Sequence, residues 1–183
     1  MMNRTKLTHI LRAIATITNE TSFVIVGSAS VLLTSKNIPL QMLNTNEIDV
    51  FAPDVADEEE FSLLVDGSIG RGSQFDRTFS YFGDGVSSKT AIMPTDWRNR
   101  SQTVDGLGLP GIKVIVPDIN DIAISKMMAW RDKDKEWLQA GVRSKILAPN
   151  QMRERLSLLP ATEVPHTEID RRMTRVASYG GVS

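Results

Sequence analysis

The chain has 183 residues, is 41% hydrophobic and 23% charged, and carries a formal net charge of −1. These values describe one globular domain, or one with a small appendage, long enough to bury a core; they exclude a disordered chain and a global basic field aimed at nucleic acid. With no cysteine and two distant histidines, His9 and His166, disulfides and thiolate metal sites are excluded, a histidine zinc site is not expected, and the absence of any long apolar run predicts a cytoplasmic protein with no membrane partner.

Leu7, Ile10, Leu11, Ile14 and Ile17 recur at three- and four-residue spacing and predict a helix over Thr5–Thr18. After a turn at 19–22, Phe23–Val26 reads as a short buried strand. Ser28 is placed to cap a helix running to about Lys36, ended by Asn37 and Pro39. Glu47–Phe51 is the next strand, stopped by Pro53. Asp57–Asp66 is expected to be a helix with acids in its first turn, where the dipole favours them. The glycine-rich stretch Gly67–Ser73 reads as a loop; it lacks the P-loop spacing and lysine. Short strands are expected at Thr78–Phe82, Thr90–Met93, Gln102–Val104 and Lys113–Val116. Asp118 then caps a helix, with Asp121 at its third position, close to a capping box, and Ile122, Ile124, Met127, Met128 and Trp130 as its apolar content. The alternating charges of residues 131–136 predict a second helix or a kinked continuation. Asn150–Leu159 and Thr167–Ala177 predict two more. The order predicts an α+β fold: a mixed sheet flanked by helices over residues 1–117, with a helical part, 118–183, packed on it.

Charge is unevenly spread. Residues 44–66 hold eight acids and no Lys or Arg, whereas residues from Gly141 onward hold seven bases against four acids. Within the acidic stretch, Glu47 and Asp49 share one strand face and Ile48 and Val50 the other. Two same-face carboxylates roughly 6–7 Å apart repel unless a cation lies between them. Mg²⁺ suits such a pair, because it takes one or two carboxylates and completes its shell with water and phosphate oxygens. A solvated strand face fits the spacing equally well. Gly27-Ser28 sits where glycine permits close backbone approach and a helix start offers N–H groups to phosphate; alone, it is an ordinary turn and cap. Together the two describe a phosphate turn on one strand and a metal-binding face on the next.

Gly27-Ser28 followed by Glu47-Ile48-Asp49 resembles the signature of the DNA polymerase β-like nucleotidyltransferase superfamily. The run DINDIAISKMMAWRDKDKEWLQA, residues 118–140, resembles the second motif of its AbiEii-like toxin branch. TNEIDVF, DGV, MPTDW and DIAISKMMAWRDKD resemble small uncharacterised nucleotidyltransferase-like proteins near that branch. The likeness spans roughly residues 20–147. It implies Mg²⁺ on Glu47 and Asp49, with a two-metal site open to it, and the terminal phosphates of a nucleoside triphosphate on Gly27 and Ser28. Lys126 would neutralise phosphate charge, Asp134 would be the third acid or a positioning residue, and Arg131 would contact phosphate or fix Asp134. The implied reaction is nucleotidyl transfer to a hydroxyl of tRNA or a protein, with a cognate antitoxin or toxin as partner. The alternative is a catalytically weakened relative that binds nucleotide or a partner as an antitoxin or regulator.

Read without the resemblance, Lys126 snorkels from a half-buried helix, the 131–136 run is an exposed helix face, and Trp97, Trp130 and Trp137 are core. Asp84 and Asp96 read as turn residues, Asp84 being the reserve candidate for a third carboxylate. Three features depart from the superfamily pattern. Eighteen residues separate Ser28 from Glu47, which predicts a loop around Asn37–Asn44. The first acid is Glu rather than the common Asp, and no third acid falls on an obvious strand. The late bases Arg143, Lys145, Arg153, Arg155, Arg171, Arg172 and Arg175 could face RNA phosphates.

Overall fold

The computed structural model describes residues 1–181. Five short strands form one mixed sheet: β1 (Ser22–Val26), β2 (Glu47–Phe51), β3 (Phe82–Gly85), β4 (Gln102–Val104) and β5 (Lys113–Val116), in the order β3-β2-β1-β5-β4. β1 runs antiparallel to β2 and parallel to β5; β2 is parallel to β3, and β4 antiparallel to β5.

Strand alternation divides the core in two. Phe23, Ile25, Ile48 and Val50 face one side, where they meet the buried stripe Leu7, Ile10, Leu11 and Ile14 of α1 (Arg4–Thr18). Asn3 starts that helix by accepting the Lys6 N–H at 2.9 Å. After the short α2 (Val31–Thr34), α3 (Glu58–Ile69) adds Phe61, Val65 and Ile69 to the same side. Asp57 caps α3 through the Glu59 and Glu60 N–H groups, and three acids fill its first turn. Two small helices follow, α4 (Gln74–Phe79) and α5 (Trp97–Arg100).

Val24, Val26 and Phe51 face the other side. They share an apolar cluster with α6 (Ile119–Ala129), α7 (Asp132–Arg143), α8 (Pro149–Arg155) and α9 (His166–Ser178), including Ile122, Met127, Trp137, Leu138, Met152 and Met173. The fold is therefore α+β, with a five-stranded mixed sheet flanked by helices and a helical C-terminal part. Among the described residues no helix is long and apolar enough to cross a membrane.

Several expected elements are corrected. Thr78 and Phe79 end α4 instead of starting a strand, because Ser73 caps that helix and Phe75 and Phe79, one turn apart, stack on His9. Gly67 and Ser68 lie inside α3, so the glycine-rich loop starts at Gly70. Thr90–Met93 pairs with no strand; it wraps past the sheet and buries Met93. Ser28 opens a single 3₁₀ turn, Ser28–Ser30, and α2 stops at Thr34, short of Lys36. Asp118 caps α6 through the Asn120 N–H, but Asp121 does not close a capping box; its carboxylate goes to Arg100 and Arg155. Trp137 is buried, whereas Trp97 and Trp130 are only partly so, and Trp130 ends α6 in the left-handed conformation at φ 55°.

Candidate functional site

Register brings the acids together. Antiparallel pairing sets Asp49 opposite Val26, and parallel pairing sets Asp49 beside Asp84. Glu47, Asp49 and Asp84 thus share the sheet face on which the C-terminal helices pack, and they open into a cleft of about 490 Å³. Asp84 stands on a strand, which corrects the turn reading. Two glycines in FGDG gave that impression, yet both serve packing. A Cβ on Gly83 would press Ile69 Cδ1 and Ile10 Cγ2 at 3.0 and 3.1 Å, and one on Gly85 would meet the Ser62 backbone at 2.7 Å. The Gly85 N–H also donates to Asp66 of α3 at 2.8 Å, which ties β3 to that helix.

The acid cluster is electrostatically loaded. Burial pushes the Asp49 carboxyl up to about 6, and repulsion from Glu47 and Asp84 adds to it. Burial also raises Asp84, with Asp66 and Glu47 contributing. Glu47 is differently placed: it meets Lys133 Nζ at 3.2 Å and Arg71 Nη2 at 3.1 Å. Among the described residues no three acidic or histidine side chains converge closely enough to hold an ion in this arrangement. Arg71 and Lys133 line the cleft and were missed from sequence, where each is an isolated charge in a loop or a charged run.

Gly27 is fixed by two requirements. Its φ is 68°, a conformation that side chains resist, and a Cβ there would coincide with the Asp49 carboxylate. Gly27, not Ser28, holds the N-cap position of the 3₁₀ turn; the Ser28 hydroxyl accepts from Lys126 Nζ at 2.8 Å.

The reversal at Trp130 turns the chain so that the first turn of α7 meets Lys126. Lys126 Nζ donates to Asp134 Oδ1 at 3.1 Å and lies 5.1 Å from the Trp137 ring centroid. Asp134 is fully buried and also accepts from Arg131 Nε at 2.7 Å and from the Arg131 backbone N–H at 3.3 Å. Burial pulls the Lys126 ammonium below its ordinary range, against the opposing pull of Asp134. Burial would raise Asp134, but the Arg131 hydrogen bond and the Lys126 charge outweigh it and hold the carboxyl below the usual range. Gly27, Ser28, Glu47, Asp49, Lys126 and Arg131 all line the cleft; Asp134 stands behind Lys126 and does not.

The late bases divide. Arg155 is half-buried against Asp118 and Asp121, while Arg172 pairs with Glu168 and donates to the Met127 and Met128 carbonyls. Of the seven bases that could face RNA phosphates, these two are held by acids and carbonyls of the fold.

A mixed sheet that presents acids from two adjacent strands beside a glycine-serine turn is nucleotidyltransferase-like. The family model described as nucleotidyltransferase of unknown function (DUF6036) matches residues 5–174, and the chain belongs to that family. No curated protein and no solved structure matches it.

Proposed function

We propose that the cleft carries out Mg²⁺-dependent nucleotidyl transfer from a nucleoside triphosphate to a hydroxyl of tRNA or a protein. The observation that carries the reading is the adjacency of Asp49 and Asp84 across β2 and β3, with Glu47 beside them and Gly27, Ser28 and Lys126 in the same cleft. The donor set fits the ion: the donors are all carboxylate oxygens, and the Glu47 and Asp84 charges, which add to burial in raising Asp49, are negative charge that a hard cation would relieve. Asp49 and Asp84, adjacent across β2 and β3, would hold it, and Glu47 would join them on exchanging Lys133 and Arg71 for the metal. When bound, Mg²⁺ supplies the charge that activates the attacking hydroxyl and steadies the leaving pyrophosphate. The Gly27 turn and Ser28 hydroxyl cradle the terminal phosphates. Lys126, aimed by Asp134, and Arg131 set positive charge against phosphate oxygens. The acceptor hydroxyl attacks the α-phosphorus as the bond to the β-phosphate oxygen breaks; positioning and charge stabilisation do most of the work.

The same proposal extends to a cytoplasmic toxin of a toxin–antitoxin or phage-defence pair. It is supported by the AbiEii-like run, whose Lys126, Arg131 and Asp134 meet in one ionic group. The ion pairs that Glu47 makes with Lys133 and Arg71 favour a second reading, a weakened relative that binds nucleotide or a partner as a regulator. Incubation with Mg²⁺, each α-labelled triphosphate, total tRNA and cell extract separates them. Label transfer lost in Asp49→Ala/Asp84→Ala supports the enzyme. Calorimetric nucleotide binding without transfer supports the regulator, and absence of Mg²⁺–nucleotide binding removes the enzyme and the nucleotide-binding regulator.

A further inference from the structure

The far end of α7 carries a second concave surface, of about 780 Å³, between the C-terminal ends of α7 and α9 and the turn that leads to α8. Its charged lining residues are Arg143, Lys145 and Arg175, all exposed, and none of the described residues that line it is an acid. Arg171, Arg172 and Arg155 are committed to Glu168, Asp118 and Asp121, whereas among the described residues Arg143, Lys145 and Arg175 form no ion pair. Two helix C-termini contribute roughly half a negative charge each. They offset about one of the three positive charges, so a surplus of about two remains. Tyr179 lines the same hollow, with the Arg175 guanidinium 5.6 Å from its ring centroid.

We propose that this hollow binds the phosphodiester backbone of a single-stranded nucleic acid. Unpaired cations in a concavity match a polyanion, and the Arg175 guanidinium lying over the Tyr179 ring offers a planar stacking surface that a base uses and an acidic peptide does not. The twelve residues of α7 span about 18 Å from the catalytic cleft at its start to this hollow at its end. A strand held here would reach the cleft over several nucleotides. Its role as a mount for the acceptor rests on the nucleotidyl-transfer reading; the binding itself does not.

The test titrates the whole protein into short fluorescent RNA and DNA oligonucleotides of one sequence, at several salt concentrations, by anisotropy. The wild type is compared with Arg143→Gln/Lys145→Gln/Arg175→Gln and with Tyr179→Leu. The charge variant is expected to bind about tenfold or more weakly and to lose about 2 from the log–log salt slope, since each phosphate contact contributes about 0.7 on a single strand. Tyr179→Leu weakens binding while the slope holds. Calorimetric Mg²⁺–nucleotide affinity at the catalytic cleft, unchanged in both variants, shows that they are folded. If that affinity is missing from the wild type while the oligonucleotide results hold, the transfer reading falls and the hollow stands. Equal affinity and slope in wild type and charge variant overturn the proposal. So does polyglutamate competing as well as RNA, which assigns the hollow to an acidic protein.

Discussion

Asp121 and Asp134 are both fully buried beneath two cations, yet they do different things. Asp121 accepts from Arg100 at 2.9 and 3.1 Å and from Arg155 at 3.0 Å. Arg100 returns to Asp96 at 2.7 Å and Arg155 to Asp118 at 2.6 Å. Three acids and two arginines satisfy one another, and the group clamps α5, α6 and α8 together. Asp134 holds Arg131 and Lys126, but Lys126 has a further donor that reaches Ser28 on the cleft wall. Planar arginine forks suit a closed lattice of carboxylates; a lysine on a flexible stem leaves a hydrogen to offer. A buried carboxylate therefore becomes part of a site when one of its cations also reaches the wall of a cleft.

Breaking the clamp has the largest expected effect. Asp121→Ala leaves Arg100 and Arg155 without their buried partner and should cost about 3–5 kcal/mol, read from urea unfolding. Mg²⁺–nucleotide affinity per folded molecule should hold. Asp134→Asn also strips a buried cation of its charged partner and should lower stability, but unlike Asp121→Ala it should lower activity as well. Lys126 loses the charge that opposes its desolvation, and transfer is expected to fall by about 10²-fold, roughly 2.7 kcal/mol, read as kcat/KM.

The acids of the cleft give the next effect. The Asp49 pKa stands near 6 in the fold against 3.8 ordinarily, so between those values the folded state holds more protons than the unfolded one. Stability then falls as pH rises through that window and stays lower above it, by on the order of 3 kcal/mol. Asp49→Asn should be more stable than wild type at neutral pH and show a shallower pH dependence, the remainder coming from the raised Asp84, measured by urea midpoints in EDTA. The smallest effect belongs to the exposed pairs. Arg71→Gln and Lys133→Gln should each cost under about 1 kcal/mol. Calorimetry should show Mg²⁺ affinity rising as Glu47 is released, while triphosphate affinity falls.

Sequence made one half of the candidate site readable and hid the other. Glu47 and Asp49 lie on a strand with clean alternation, and Gly27 follows a β-branched run, so their faces could be assigned. Asp84 hid between glycines that look like a turn but exist because Ile10, Ile69 and the Ser62 backbone crowd β3. Helix α4 hid because its aromatic and β-branched residues favour strand locally, while an aromatic cluster with His9 and Tyr81 selects the helix. The grip of Arg71 and Lys133 on Glu47 leaves no periodic trace, since it depends on how a loop and a helix start meet across the sheet edge.

The long spacer between Ser28 and Glu47 takes on another meaning once β1 and β2 are seen as neighbours. Their register, and the Gly27 backbone lying against Asp49, set the distance between the Gly27-Ser28 turn and the acids. Buried Met42 pins the second half of the connection, while Lys36 and Asn37 stand exposed at its tip. Chain length there is decoupled from chemistry: each doubling of the loop costs only about 0.6 kcal/mol. A peptide tag, or over generations a whole subdomain, can enter at residues 36–37 without moving the carboxylates.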